Sequence, residues 1–527
     1  MSTEPNTEGD VIGKVTTGYQ AWFTCDGDRS PIRGWWHWAP DRLNMVKKDN
    51  SGVVSWPAMH HYPKGYNTGF QPYPDGSPSQ LFSNYDQATI DAHFQMMADA
   101  DIDTAALQRF NPCGGEGPVR DVTTMMVHQA AEKTKRKWYC MYDVSGWGPN
   151  MQQEIKNDWT SKMCEYSQTP MYARQNGKVV VCIWGFGFND GNHEYDQETC
   201  IDVIKWFKGM GCYVIGGVPT WWRKCISDSR EGFGEVYRSF DMLSPWMVGR
   251  ASKIRDLDWF YHNANKGDQE ECEKHGIAYQ PCVMPGDLST GCRKHGDFYW
   301  RHFYNTTRLG CAAVYVSMFD EYNEGNQIAP TAESKAQQPK DFDHPALDED
   351  GTPCTADYYL RLTRDAGKMF KSRTPTALRV TEPWPGKGLC HARHELVLKA
   401  RVNGQFVCAE GGGDKNLVAN RTSPGPWERF TVEQTNQEGR IHLRSSNGKY
   451  VCADLSGGNG QPVGLLVANR DSPGPWETFD LVEVDGGVIA LKASNGKYVQ
   501  ASNGGSGPLI AGGDDHGWWE QFDVVEE

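Results

Sequence analysis

"AAVYVSMFDEYNEG", residues 312–325, passes from a mostly apolar run into three carboxylic acids, Asp320, Glu321 and Glu324, packed within five positions. Like charges gathered where an extended run ends repel one another, so the arrangement costs free energy unless the acids are used. Seven comparable runs precede it, at 17–23, 104–110, 137–142, 179–186, 211–218, 242–248 and 277–283. Amphipathic stretches at 86–98, 123–133, 199–208 and 250–264 lie between them. Eight strand signals alternating with helix signals predict an α/β fold, a (β/α)8 TIM barrel over residues 11–371, whose last outer helix falls at 356–371. Residues 25–83 then form a long loop over the barrel mouth.

Residues 372–394, which carry several prolines, are expected to be a linker. Beyond them the chain repeats. "VNGQFVCAE" from Val402, "SNGKYVCAD" from Ser446 and "SNGKYVQAS" from Ser494 are each followed by "PWERF", "PWETF" or "WWEQF", ending at Phe430, Phe479 and Phe522. A period of roughly 45 residues, three times over and with Asn-Gly turns, predicts threefold pseudosymmetry and an all-β trefoil over 395–527. The "W-E-x-F" setting suggests that Trp427, Trp476 and Trp519 plug the core, leaving Asn420, Arg421, Asn469 and Arg470 as candidate sugar contacts.

Acidic residues outnumber basic ones, 67 to 53, for a formal charge of -14. The short basic run at 133–137 is too small to track a phosphate backbone, so neither nucleic acid nor an anionic membrane is an expected partner. No stretch reaches the roughly 20 apolar residues of a membrane span. Sixteen cysteines in 527 residues are too few for a disulfide-built scaffold; Cys140, Cys182 and Cys212 read as buried thiols, while Cys25, Cys113, Cys225 and Cys292 are free to pair if the protein is exported. The polar residues 1–10 lack the basic and apolar pattern of a leader. A secreted or periplasmic location is nevertheless expected, with the leader missing from this chain and the cytoplasm left open. No metal and no cofactor is expected: His60 and His61 lack ligand partners at metal spacing, and there is no Walker loop, Rossmann fingerprint or G-x-S-x-G elbow.

Acids just past the eighth strand of such a barrel stand at its catalytic rim. Glu321 and Glu324, three apart, share a face in a turn. One of two adjacent carboxyls keeps its proton near neutral pH, the division of labour that glycoside cleavage requires. The candidate sugar-binding groups at other strand ends are Gln108, Asp143, Tyr279 and Asp320, with Trp221, Trp222 and Trp246 as stacking surfaces. Arg109 either grips an anionic substrate group or, more simply, neutralises nearby glutamates. "GWWHW", ending at Trp38, and His60 belong to the first loop and either wall a subsite or pin that loop. Asn189, Asp190 and His193 after the fourth run fit a turn equally well.

"MFDEYNEGNQIAP" resembles the strand-eight motif of glycoside hydrolase family 71/99-like proteins, and "VPTWWR", "MYDVSG", "YQPCVMPG" and "GDFYWRHFYN" resemble that group's other strand ends in order. The resemblance covers roughly residues 15–369 and implies cleavage of α-linked glucans or mannans by a (β/α)8 barrel. It implies that Glu321 deprotonates a sugar 2-hydroxyl to give a 1,2-anhydro intermediate, and that Glu324 is the general acid/base. Asn323 departs from the family pattern, where an acid is often seen. The C-terminal repeats are similar to fascin-like trefoil modules; the Gln-x-Trp repeat of ricin-type lectins is missing. The expected protein is a monomeric glycosidase holding a polysaccharide or oligosaccharide, with a transglycosylase or a noncatalytic carbohydrate- or actin-binding protein as alternatives.

Overall fold

The computed structural model describes residues 9–384, 394–434, 440–457, 460–485 and 488–525. These form two compact units: the first runs to Pro375, and the second takes in Thr376–Glu382 and the described residues from His394 onward. Part of the expected linker, 385–393, lies outside the described residues, as do residues 1–8.

In the first unit every one of the eight apolar runs contributes strand. They are Val15–Tyr19, Thr104–Arg109, Lys137–Asp143, Lys178–Trp184, Cys212–Val218, Met242–Pro245, the pair Ala278–Tyr279 and Cys282–Val283, and Val314–Val316. Neighbours in this order pair in parallel, and Val314–Val316 pairs in parallel with Val15–Tyr19. The strands are rich in Val, Ile and aromatic residues and buried on both faces, as parallel strands covered by helices must be. Helices such as Gln87–Asp99, Gly117–Thr134, Gln197–Gly209, Asp297–Leu309 and Tyr358–Ser372 alternate with them. The seventh run is broken at Gln280 and Pro281, where proline offers no N–H to a ladder. Its first piece pairs with the sixth run and its second with the eighth.

The rim is tied to this sheet by a buried chain of hydrogen bonds. Tyr322, just past the eighth run, donates to the Pro330 carbonyl (2.8 Å) and meets the Tyr62 hydroxyl at 3.0 Å. Tyr62 lies 3.2 Å from His93 Nε2, and His93 Nδ1 lies 2.9 Å from the Tyr19 hydroxyl. Burial drives His93 down to about 3, so its ring is neutral. A neutral ring satisfies the whole chain in one direction: Tyr19 donates to Nδ1, Nε2–H to Tyr62, and Tyr62 to Tyr322.

In the second unit the strands are antiparallel. His394–Ala400, Arg429–Gln434, Arg440–Arg444, Phe479–Asp485, Val488–Ala493 and Phe522–Val525 pair successively, and the last returns to the first, closing an antiparallel barrel. Three hairpins complete it: Gln405–Ala409 with Leu417–Arg421, Tyr450–Asp454 with Leu465–Arg470, and Tyr498–Ala501 with Leu509–Gly513. Phe430, Phe479 and Phe522 are all in the core. The expectation that the repeated tryptophans plug that core is overturned. Trp427 and Trp519 are 42% and 44% exposed and Trp476 is half-buried. The neighbouring glutamates Glu428, Glu477 and Glu520 are buried instead. Glu428 and Glu477 accept the N–H of Gly425 (2.6 Å) and Gly474 (2.7 Å), closing the turn that turns each indole outward.

Among the described residues every cysteine is a free thiol, Cys25, Cys113, Cys225 and Cys292 included. No helix among them is long and apolar enough to cross a membrane. His93 makes acid stability a test of this packing. An unfolded histidine titrates near 6.5 and the folded one near 3, so the unfolded chain takes the proton first; the stabilisation is complete above about pH 6.5 and is lost as pH falls toward 3. His93→Gln, which keeps a donor and an acceptor but cannot charge, should lose less stability on acidification, by about 1.4 kcal/mol per pH unit in that window. Urea titrations of both proteins at about pH 6.5 and pH 4.5 check this, and equal acid losses would rule the histidine out as their source.

Candidate active site

Past the eighth run the backbone makes a tight turn. Phe319 N donates to Gly18 O of the first strand at 2.7 Å, and the Glu321 carbonyl accepts the N–H of both Glu324 and Asn326 at 3.3 Å. Gly325 has φ +70°, and a Cβ there would lie 2.9 Å from Asp287 Oδ1, so this position requires glycine. The buried Arg293 clasps the turn, donating to the carbonyls of Gly286, Gly325 and Gln327 at 2.7–3.0 Å.

The three acids have three different surroundings. Asp320 is fully buried and accepts the backbone N–H of Gln20 and of Ala21, each at 2.9 Å. Burial lifts its carboxyl to about 6 against the pull of these two donors. Arg120 takes the carbonyls of the same two residues, Gln20 at 2.6 Å and Ala21 at 2.7 Å. The segment after the first strand is therefore gripped from both sides. Glu321, 4% exposed, accepts from Gln20 Nε2 at 2.7 Å on one oxygen and from Asn326 Nδ2 at 2.8 Å on the other. Burial, and then the charge of Glu324, push it up to about 8. Glu324 is exposed, and among the described residues no group donates a hydrogen bond to it; the surrounding protein and the Asp287 charge still raise its carboxyl. At neutral pH the pair holds a proton, and a water-facing acid stands beside a buried one cradled by two amides.

Gln108 and Gln20 follow Leu107 and Tyr19, the last pair of the parallel ladder between the first two strands. Both glutamines are buried, at 5% and 2% exposure, and each leaves its carbonyl oxygen without a partner. Two unsatisfied acceptors at a strand-end rim are available to hydroxyl donors. Asp143 ends the third strand and is buried, which raises its carboxyl; it accepts the Ser145 N–H at 3.0 Å and hydroxyl at 2.5 Å. Ser145 Oγ meets His193 Nε2 at 2.9 Å, and His193 Nδ1 meets Asp190 at 2.7 Å, so the segment after the fourth run carries a polar chain leading to Asp143.

Other candidates are turned elsewhere. Arg109 is buried and points outward to Asp158 and Asp121, at 2.6 Å each, because alternate residues of a strand face opposite ways and Gln108 takes the inner side. It touches aspartates on the helical layer, not the glutamates it was expected to neutralise. Tyr279 likewise faces outward, its hydroxyl accepting from Asn265 at 3.0 Å. Trp38 is enclosed, stacked on Phe23 at 3.8 Å with its indole N–H donating to Phe82 O, which leaves no face for a sugar. Trp222 is also enclosed. Trp221 is partly exposed and packs edge-on to Trp259; Trp246 is partly exposed, with its ring edge toward Trp184 at 5.9 Å. His60 is exposed, tilted against His61. Within "GWWHW", His37 stacks on Trp22 at 3.6 Å and reaches Glu116 at 3.4 Å. No cluster of three or more metal-ligating side chains occurs among the described residues.

Gln20, Asn326, Arg120 and Arg293 shape this site and were not singled out from the sequence. One signal was available for Gln20, a polar side chain in the middle of the first apolar run; nothing in the sequence pairs it with Glu321.

Residues 393–525 match a family model described as a domain of unknown function, DUF7910. No curated protein matches the chain. Among solved structures, the GH99 endo-alpha-mannosidase from Bacteroides thetaiotaomicron is 16% identical over 69% of this chain and all of its own, with a TM-score of 0.48. The designed threefold-symmetric protein ThreeFoil is 19% identical over 25% of this chain and 99% of its own, TM-score 0.23. A Polyporus squamosus lectin, bound to a human-type influenza-binding epitope, is 15% identical over 24% of this chain and 46% of its own, TM-score 0.21.

The contrast between the acids is testable as stability. Asp320→Asn offers one acceptor where two N–H groups point and sets its own N–H₂ against one of them, so it should destabilise the first unit by about 2 kcal/mol or more. Glu324→Gln should stay within about 0.5 kcal/mol of the parent. Denaturant titrations compare them, and equal losses would contradict the assigned surroundings.

Proposed function

We propose that the first unit is a closed (β/α)8 barrel that hydrolyses O-glycosidic bonds of a polysaccharide or oligosaccharide, with Glu321 and Glu324 as its reacting pair, and that the second unit is a β-trefoil that holds the glycan. The observation that carries this reading is the asymmetry of the pair: a buried Glu321 cradled by Gln20 and Asn326 beside an open Glu324, sharing a proton at neutral pH. Splitting a glycoside needs one group to give a proton and another to act as carboxylate.

Roles follow from the motif's resemblance to family 99. A sugar 2-hydroxyl donating to Glu321 favours its charged form, so the shared proton passes to Glu324. Glu321 then removes the 2-hydroxyl proton as O2 closes on C1. Glu324 protonates the departing glycosidic oxygen as the C1–O bond breaks, leaving a 1,2-anhydro sugar. Water, deprotonated by Glu324, opens that ring at C1, and Glu321 returns its proton to O2. The configuration at C1 is retained and each carboxyl ends as it began. The open carbonyls of Gln20 and Gln108 are suited to accept neighbouring sugar hydroxyls, and Asp143 to take another.

A panel of α-glucans, α-mannans, arabinans and sulfated polysaccharides, analysed for released oligosaccharides, tests the assignment. Glu324→Gln should lose hydrolysis by roughly two or more orders of magnitude, as for removal of a general acid, while still binding glycan. Activity equal to the parent would remove Glu324 from the mechanism, and transfer products without hydrolysis would make the protein a transglycosylase.

A further inference from the structure

The three repeats of the second unit are not equivalent where they face solvent. In the first, Arg421 bridges Glu410 at 2.8 Å and the buried Glu428 at 3.7 Å and donates to Asn420 Oδ1 at 2.6 Å, while Asn420 Nδ2 donates to Glu410 at 2.8 Å. The indole of Trp427 stands next to this cluster: a Cβ on Gly412, two residues from Glu410, would lie 3.4 Å from its Nε1. The second repeat builds a similar cluster. Arg470 bridges Asp454 at 3.4 Å and the buried Glu477 at 3.7 Å and donates to Asn469 at 2.7 Å, Ser456 donates to the other Asp454 oxygen, and Trp476 precedes Glu477 in the chain. In the third repeat Ser502 replaces the acid, and Gly512 and Gly513 replace the Asn-Arg pair. The Glu520 side chain occupies the space beside Gly513, where a Cβ would lie 2.7 Å from Glu520 Oε1. That lobe keeps Trp519, and its other exposed indole, Trp518, carries the Arg401 guanidinium over its ring at 4.5 Å.

We infer that the first two lobes are binding sites for neutral pyranose residues, one around Trp427, Arg421 and Glu410 and one around Trp476, Arg470 and Asp454, and that the third lobe is not. This rests on the proposal that the second unit holds glycan and says which surfaces do so. A pyranose presents C–H groups on one face and hydroxyls at its edge. The indole supplies dispersion contact for the face. The edge meets a carboxylate with lone pairs to spare and the amide and guanidinium N–H groups fixed beside it. Because the ion pairs within each cluster hold these groups in place before a ligand arrives, little side-chain entropy is lost on binding. Each guanidinium is matched by two carboxylates, with Lys415 also near Glu410 in the first lobe, so neither cluster carries the net positive charge that would attract anionic sugars. Two weak sites on one unit engage a repeating polymer together, and their joint affinity exceeds either alone.

The test is affinity electrophoresis of the full-length Glu324→Gln chain, which leaves the matrix uncut, through gels containing yeast mannan, dextran, laminarin or xylan, with alginate as the anionic probe. At least one neutral polysaccharide should retard it and alginate should not. Trp427→Ala and Trp476→Ala should each weaken retardation by about tenfold, and together by about a hundredfold, as expected when two linked sites are lost. Trp519→Ala should change it by less than about twofold. These indoles are partly or largely exposed, so their removal spares the core, and circular dichroism verifies that the fold is kept. Absence of retardation by every neutral probe overturns the glycan-holding proposal itself. Retardation undiminished in the double variant, or falling with Trp519→Ala, overturns the lobe assignment alone. Retardation by alginate overturns the preference for neutral sugars.

Discussion

The arrangement of the first unit's rim depends on one buried carboxylate, that of Asp320, bonded to two successive backbone N–H groups. A charge taken out of water is costly unless its lone pairs are met, and here Gln20 and Ala21 meet them while Arg120 holds the carbonyls of the same residues. The constraint joins the end of the first strand to the end of the eighth. Ala21, one of its two donors, stands in a left-handed conformation, φ +48°, next to the Gln20 whose side chain reaches Glu321.

From this fixed point the different behaviour of two neighbouring glutamates follows. Glu321 is buried, and desolvation together with the nearby charge favours its neutral form; two amide donors, one on each oxygen, pull the other way and keep the charged form within reach. Glu324 has no such donors and faces water, where a proton can come and go. The acids differ because the turn places the first against the sheet and the second outside it, and Gly325, held under Arg293, is what allows a turn that tight.

Much of the architecture was legible in the chain. Parallel strands buried on both faces must be apolar along their length, so eight runs stood out, and threefold repetition exposed the second unit as plainly. What escaped was direction. Gln108 and Arg109 are adjacent in sequence, yet the strand sends one inward and the other to the helical layer, where aspartates from distant segments await it. The "W-E-x-F" repeats suggested a buried indole, but Glu428 and Glu477 are the buried members, each accepting the N–H that closes its own turn, and the adjacent tryptophans reach solvent. Gln20 and Glu321 are 301 positions apart, and the pairing of the first strand with the eighth, continued by the Asp320 bonds, brings them together.

The central claim, that these two glutamates share a proton because one is buried beside the other's charge, is open to direct measurement by carboxyl carbon NMR on glutamate-labelled protein. The account predicts one glutamate titrating near 8, and predicts that Glu324→Gln moves that midpoint downward by removing the neighbouring charge. A spectrum in which every glutamate titrates near about 4.3, the ordinary value, with no resonance sensitive to position 324, would contradict it.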